Sequence, residues 1–434
     1  MAQKSLPAGR LGRLWQMGRL ASGVAGGAIG EGARQLGRGQ RPGLQQMLLT
    51  PANLTRIRDR LSEMRGAAMK VGQLISMESG ELLPPELSGL FEQLREQAHP
   101  MPLGEVNQVL KGAWGEGWDT KFKRFNFTPL AAASIGQVHE AITNQGKRLA
   151  VKLQYPGVKR SIDSDIDNVS LLLRWSGLIP ETLDLRPLLD EAKQQLHNEA
   201  DYQAEAEMLT RFAGLVADEA RVKVPRVEPE LSTENVLAMQ FLEGLPIDAV
   251  AEQSREERKR VALVLLEIAL REVFEWGLVQ TDPNFANYRY DPLTGQVQLL
   301  DFGACRHYSE DRRDALLKLL KAGLADDQAM MLDAAIDVGY LQADTPDAHR
   351  EGMAELLLGA LEPLRSERFA FGQSDLARRM SARVMELRRD RQFLMLPPPD
   401  VLFLHRKLGG LYLLLTRLQV TLPVRYEIER LGYA

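Results

Sequence analysis

The period of the apolar residues changes twice along this chain, and no other feature restricts its fold as much. From Leu54 to Leu94 the apolar residues recur at helical spacing (Leu54, Ile57, Leu61, Met64, then Met69, Leu74, Met77), interrupted at Pro84-Pro85. From Lys121 the period falls to two, with Phe122, Arg124 and Asn126 alternating with Lys123, Phe125 and Phe127. Val138 to Ile142 and Arg148 to Leu153 read as strands, and Thr143-Asn144-Gln145-Gly146 between them as a hairpin turn. Helical spacing returns over Val158 to Trp175 and over Leu185 to Val216. Val222 to Val227 and Val236 to Phe241 read as short strands and Arg255 to Trp276 as a long helix; beyond Asp301 the pattern is almost wholly helical. A strand-rich part, a linker near Glu243-Gly244 and a helix-rich part make a two-lobed α+β plan.

Length and composition narrow the class. The 434 residues suffice for two or three domains, and 44% hydrophobic with 26% charged residues excludes a disordered or fibrous chain. A net charge of −4 gives no general attraction to nucleic acid. The single cysteine, Cys305, excludes a disulfide framework or a Cys-based zinc site and fits a reducing compartment, and the six histidines show no metal-ligand spacing. The longest uncharged stretch, Phe125 to His139, is fifteen residues, too short for a simple membrane-spanning helix. Residues 1–41 differ from the rest, with seven Lys/Arg against one acid, Glu31, and ten of the 36 glycines. The GxxxG pairs Gly23/Gly27 and Gly26/Gly30 allow close helix approach, so this tail reads as an anchor for anionic membrane lipid or a homodimerising segment.

Three features carry chemistry, and their order matters more than any one of them. Lys152 lies in the strand Ala150-Val151-Lys152-Leu153, with Val151 and Leu153 on the opposite face. Asp282 opens Asp282-Pro283-Asn284-Phe285-Ala286-Asn287, and Asp301 follows the apolar strand Val297 to Leu300 and starts Asp301-Phe302-Gly303. A strand lysine, an Asp with an Asn five residues on, and an Asp-Phe-Gly are the parts with which kinases hold ATP and Mg²⁺. Lys152 would neutralise phosphate charge, Asn287 and Asp301 would offer hard oxygens to the metal, and Asp282 would take a hydroxyl proton or orient a water. A glycine-rich phosphate loop is missing. In its place stand Ala131, Ala132, Ala133 and Ser134, whose Cβ atoms resist the positive φ that glycine allows, although backbone N–H groups and Ser134 Oγ remain on offer to a nucleotide.

With these residues stand Lys70-Val71-Gly72-Gln73 (a KxGQ motif), Ala131 to His139, Val151 to Gly157, Glu199-Ala200-Asp201-Tyr202, Gln280 to Asn284, Asp301 to Ala304, and Leu404 to Gly410. Through them the chain resembles, from about residue 10 to its end, the UbiB/AarF family of atypical kinases, in its coenzyme Q biosynthesis branch. The resemblance implies a protein-kinase-like two-lobed fold with an N-terminal helical KxGQ extension over the cleft and a helix-rich C-lobe. It divides the chain into a tail (1–41), the extension (42–117), an N-lobe (118–243) and a C-lobe (244–434). It also places Lys70 and Gln73 near the catalytic residues, in contact with Glu199 and Asp201. The acidic partner of Lys152 belongs to the same region: Asp201 and Glu205 are four apart on one helix face while Glu199 points elsewhere. Between Glu199 and Glu205 the choice stays open, with Glu205 preferred.

Two departures from ordinary protein kinases bear on mechanism. Gln280-Thr281 stands where His-Arg would precede the catalytic Asp, and no long activation segment or Ala-Pro-Glu follows Asp301-Phe302-Gly303. The resemblance therefore implies Mg²⁺-dependent ATP hydrolysis supporting ubiquinone biosynthesis, with lipid or quinone-biosynthesis proteins as partners, at the cytoplasmic face of an inner membrane. The alternatives are a true kinase acting on a small molecule or protein, and a nucleotide-switched pseudokinase scaffold.

Overall fold

The computed structural model describes residues 61, 64, 66–68, 70–72, 100–175, 186–282, 284–389 and 397–434. The basic tail and most of the extension, Gln73 included, lie outside the described residues. From Leu103 the elements run α1 (Leu103–Trp114), β1 (Phe122–Phe125), β2 (Ala131–Ala133), β3 (Gly136–Thr143), β4 (Arg148–Gln154), α2 (Val158–Trp175), α3 (Arg186–Glu199) and α4 (Tyr202–Leu215). Then come β5 (Val222–Lys223), β6 (Val236–Gln240), β7 (Leu245–Pro246), α5 (Arg255–Arg271), β8 (Leu278–Gln280), β9 (Tyr288–Asp291), β10 (Gln296–Leu299) and β11 (Cys305–His307). The remainder comprises α6 (Glu310–Ala325), α7 (Gln328–Val338), α8 (Asp347–Ala360), β12 (Phe369–Ala370), α9 (Leu376–Arg389), α10 (Pro399–Arg417), β13 (Thr421–Leu422) and α11 (Val424–Arg430). The described residues up to Ala206, with Val227–Phe241, form one compact unit; Glu207–Arg226 with Leu242–Ala434 form another.

The first unit is built on an antiparallel sheet of order β1-β3-β4-β6, with β2 added to β3. Alternation along β4 sends Val151 and Leu153 to one face, where they join Val106 and Leu110 of α1, Phe122, Ala141 and Ala238 in a single apolar cluster. Lys152 consequently points to the other face. Trp114, Trp118, Phe122, Phe125 and Phe127 pack ring against ring at centroid distances of 5.1 to 6.3 Å, closing the β1 end of the sheet. The hairpin turn occurs where the sequence puts it, with Gly146 at φ +80° and its N–H on the Thr143 carbonyl.

In the second unit a sheet of order β5-β10-β9-β7 accompanies the antiparallel pair β11-β8. Ser254 caps α5 by accepting from the Glu257 N–H. Helices α6, α7, α8 and α10 bury Leu316, Leu319, Met331, Val338, Met353 and Leu404 in one cluster that also holds Val279 of β8. The apolar stripes of these helices thus support the strand that leads to Asp282.

Several expected elements differ, each for a local reason. The stretch 207–226, assigned on sequence to the N-lobe, belongs to the second unit, because β5 pairs in parallel with β10. The strand expected over Val222 to Val227 stops at Lys223, since Pro225 brings no N–H to a ladder. The helical run from Leu185 to Val216 is two helices, broken at Ala200 and Asp201, so Asp201 lies ahead of α4 rather than on a helix face shared with Glu205. The helix from Arg255 changes at Glu272 to a π-turn, Glu272–Trp276, which ends at Gly277 with φ +58°. Ala131–Ala133 is a strand, not a loop: it pairs with Gly136, Gln137 and Val138 of β3.

A methyl group on Gly136 would stand 2.1 Å from the Leu153 carbonyl oxygen, so any side chain there must part β3 from β4. Gly136→Ala is expected to lower stability by about 1–3 kcal/mol in denaturant unfolding. Gly112→Ala, in the last turn of α1 with open space around it, should instead raise stability by about 0.5 kcal/mol.

Candidate functional site

Strand β4 supplies the first group. Its neighbours β3 and β6 pair with it on both sides, and Lys152 stands opposite Val138 and Leu237. Its Nζ donates to both carboxylate oxygens of Glu205, at 2.6 and 2.9 Å, and lies 5.4 Å from the centre of the Tyr202 ring. Lys152 is 7% exposed and Glu205 2%. In such a place an ammonium group is tolerated only because the carboxylate faces it. The Lys152 partner is therefore Glu205, in the first turn of α4.

Glu199, at the end of α3, does something else. One carboxylate oxygen accepts from Lys70 Nζ at 2.5 Å, and the other accepts from Ser134 Oγ. Lys70 is itself buried. Residues 66–68 and 70–72 are helical, and a Cβ on Gly66 would lie 1.9 Å from the Ser134 carbonyl oxygen. The helix carrying Lys70 thus rests its backbone on the turn that follows β2. Asp201 caps α4: its Oδ1 accepts from the Ala204 N–H and its carbonyl from the Glu205 N–H, both at 3.0 Å. Ala131 and Ala132 are exposed and Ala133 half-buried on β2.

Gln154, which the sequence shows only as part of the Val151 to Gly157 motif, is two residues from Lys152 and on the same strand face. Its Nε2 donates 2.8 Å to the Ala200 carbonyl, and the side chain is 2% exposed. It fastens the break between α3 and α4, with Glu199 before it and Glu205 after it. Alternation from Lys152 was the signal that could have found it.

The second unit brings together Asp282, Asn287 and Asp301. Thr281 ties the approach through two bonds to the Ala304 carbonyl, from its N–H and its Oγ1. Asn284 Oδ1 accepts from the Ala286 N–H and starts the single turn that presents Asn287. Asn287 Nδ2 donates 2.8 Å to Asp282 Oδ2, and the Asn287 carbonyl accepts from the Leu300 N–H at 2.9 Å. That second bond sets Asn287 beside the strand end from which Asp301 follows. Asp301 Oδ1 accepts from the Gly303 N–H, and Phe302, buried, packs on Phe212 at 4.5 Å between ring centres. Only five residues separate Gly303 from the cap of α6, Ser309.

Removing one member of the buried pair leaves the other's charge in place without the opposite charge that faces it. Glu205→Ala is expected to cost about 3–5 kcal/mol in unfolding stability, whereas the double change Glu205→Leu with Lys152→Met should recover most of that loss. A double-mutant cycle in urea checks it.

The sequence profile of the ABC1 atypical kinase-like domain matches residues 93–335. The chain is 34% identical to the mitochondrial atypical kinase COQ8 of Saccharomyces cerevisiae, over 96% of itself and 84% of that protein. It is 37% identical to the mitochondrial atypical kinase COQ8B of Rattus norvegicus, over 98% and 80%. The mitochondrial atypical kinase coq-8 of Caenorhabditis elegans is also 37% identical over 96% of this chain, which spans 57% of that longer protein. Among solved structures it is similar to Rv3197 of Mycobacterium tuberculosis in complex with erythromycin, with a TM-score of 0.60 and 26% identity over 86% of this chain and 93% of that one.

Proposed function

We propose, from the fact that this chain belongs to the ABC1 atypical kinase-like family, that it binds ATP with Mg²⁺ and hydrolyses it in support of coenzyme Q biosynthesis at a membrane surface. The observation that carries this reading is the buried pair of Lys152 with Glu205. It is the lysine–glutamate pair that a phosphoryl-transfer lobe needs in place before it can meet nucleotide phosphates.

Each residue then has a task. Lys152, oriented by Glu205, would neutralise phosphate charge. Asn287 spends Nδ2 on Asp282, so its amide oxygen is the atom left to ligate; with the Asp301 carboxylate it makes a hard-oxygen donor set that fits Mg²⁺. Bound there, the ion would neutralise charge on the β- and γ-phosphates. Asp282 would orient the attacking water and accept its proton as the new O–P bond forms and the bond to the ADP oxygen breaks. The Ser134 turn, under the Lys70 helix and the Glu199 carboxylate, would bound the nucleotide from the alanine-bearing strand β2.

The short step from Gly303 to α6 supports water or a small acceptor over a protein substrate, since no extended segment is present there to dock one. No described helix is long and apolar enough to cross a membrane. Membrane contact is assigned to the basic tail, at an inner membrane, as a peripheral association with anionic lipid; association with quinone-biosynthesis proteins and tail-mediated dimerisation belong to the same proposal.

Phosphate release from ATP by the full-length protein, with and without anionic liposomes, tests the reading. Hydrolysis should require Mg²⁺, rise on liposomes, and fall at least about a hundredfold in Asp301→Asn. Mg²⁺-dependent nucleotide binding with no release in any condition would instead favour a switch, and label passing from γ-labelled ATP to an acceptor would favour a kinase.

A further inference from the structure

The loop from Asp282 to Asn287 lacks the His-Arg that anchors its counterpart in protein kinases. What holds it is found on α10, in the segment Leu404 to Gly410. Lys407, 5% exposed, has its Nζ 2.7 Å from Oε2 of Glu272, which is 1% exposed. The same ammonium donates to Tyr288 Oη at 3.2 Å, and that hydroxyl donates to Gln280 Oε1 at 3.3 Å. The backbone N–H of Gln280 also favours the charged form of the Glu272 carboxylate, against the burial that opposes it. Burial opposes the charge on Lys407, but Glu272, with Tyr288, outweighs it and raises the lysine above its ordinary range.

Gln280 is two residues before Asp282, and Tyr288 directly follows Asn287. One buried ammonium therefore fastens both ends of the loop: the incoming strand β8 through Glu272 and Gln280, and the outgoing strand β9 through Tyr288. We infer that Lys407, with Glu272 and Tyr288, is the positioning device of the Asp282–Asn287 loop, standing in for the missing His-Arg. Stability alone does not account for such a cluster. A buried ion pair replaced by apolar groups of similar volume is often neutral or stabilising, so a pair placed at both ends of one loop is better explained by the geometry it enforces. Positioning groups of this kind typically change activity or metal affinity by 10–100-fold without touching substrate, as roughly seen for residues behind metal ligands.

The inference rests on the reading of Asp282 and Asn287 given above, and the test separates the two. Two variants of the full-length protein are needed: Tyr288→Phe, which removes one hydroxyl, and the charge-free double Glu272→Gln with Lys407→Met, which leaves no lone buried charge. Amide hydrogen exchange without nucleotide should accelerate by about tenfold over residues 281–288 and stay at the wild-type rate elsewhere in folded protein. The turnover number for ATP should fall about tenfold while KM changes by less than about twofold. Mn²⁺ titrated in the presence of ATP should bind about tenfold more weakly. Unchanged exchange over 281–288 in either folded variant overturns the inference, as does acceleration spread over the whole C-terminal unit. Should the wild-type protein release no phosphate, the hydrolysis reading fails, and the exchange result still decides whether the cluster positions the loop.

Discussion

Lys152 carries an ammonium group into a place that water scarcely reaches, and a charge there must be met by an opposite charge close by. Glu205 meets it with both oxygens. For that to happen, β4 must lie inside the sheet with Val151 and Leu153 turned the other way, and the chain must break after α3 so that the first turn of α4 faces the strand. Gln154, one alternation further along, holds the break by its bond to the Ala200 carbonyl. The arrangement of the first unit is in large part the set of conditions under which this pair is permitted.

Glu199 sits on the other side of the same break and shows how one carboxylate can gather several segments. Its two oxygens are shared between Lys70 and Ser134, so a helix distant in sequence and a turn between two strands are held by one residue. The contact of Gly66 with the Ser134 carbonyl is closer than any side chain would permit. Charge and close approach thus act on the same turn from two directions.

The parts of this molecule that follow from period and from turn chemistry could be read in the sequence. The strand bearing Lys152, the Thr143–Gly146 turn, the strand before Asp301 and the long helices all have signals within a dozen residues. Lys152, Asp282, Asn287 and Asp301 stand out by residue type and order, which match the parts with which kinases hold ATP and Mg²⁺. What could not be read depends on partners far away. Alanine has little preference for strands, and Ala131–Ala133 becomes one because β3 lies alongside it. The break at Ala200-Asp201 leaves the apolar spacing nearly intact, so the sequence could prefer Glu205 to Glu199 but not fix it as the partner of Lys152. Lys407 reads as one more cation in a helix; its burial is a property of the packed unit alone.

The π-turn at Glu272–Trp276 contains one residue more than a regular helical turn would use. That extra residue sets the direction of everything after it, because each residue in a helix advances the side chains by about 100°. Loss of a single residue here would make the helix more regular and its backbone easier to build, yet would swing the chain leading into β8 out of phase with the carboxylate that it must meet. The length of this segment is therefore constrained along with its composition: Val273 is buried in the apolar cluster of the second unit and Phe274 packs against it, so an insertion or deletion would displace both.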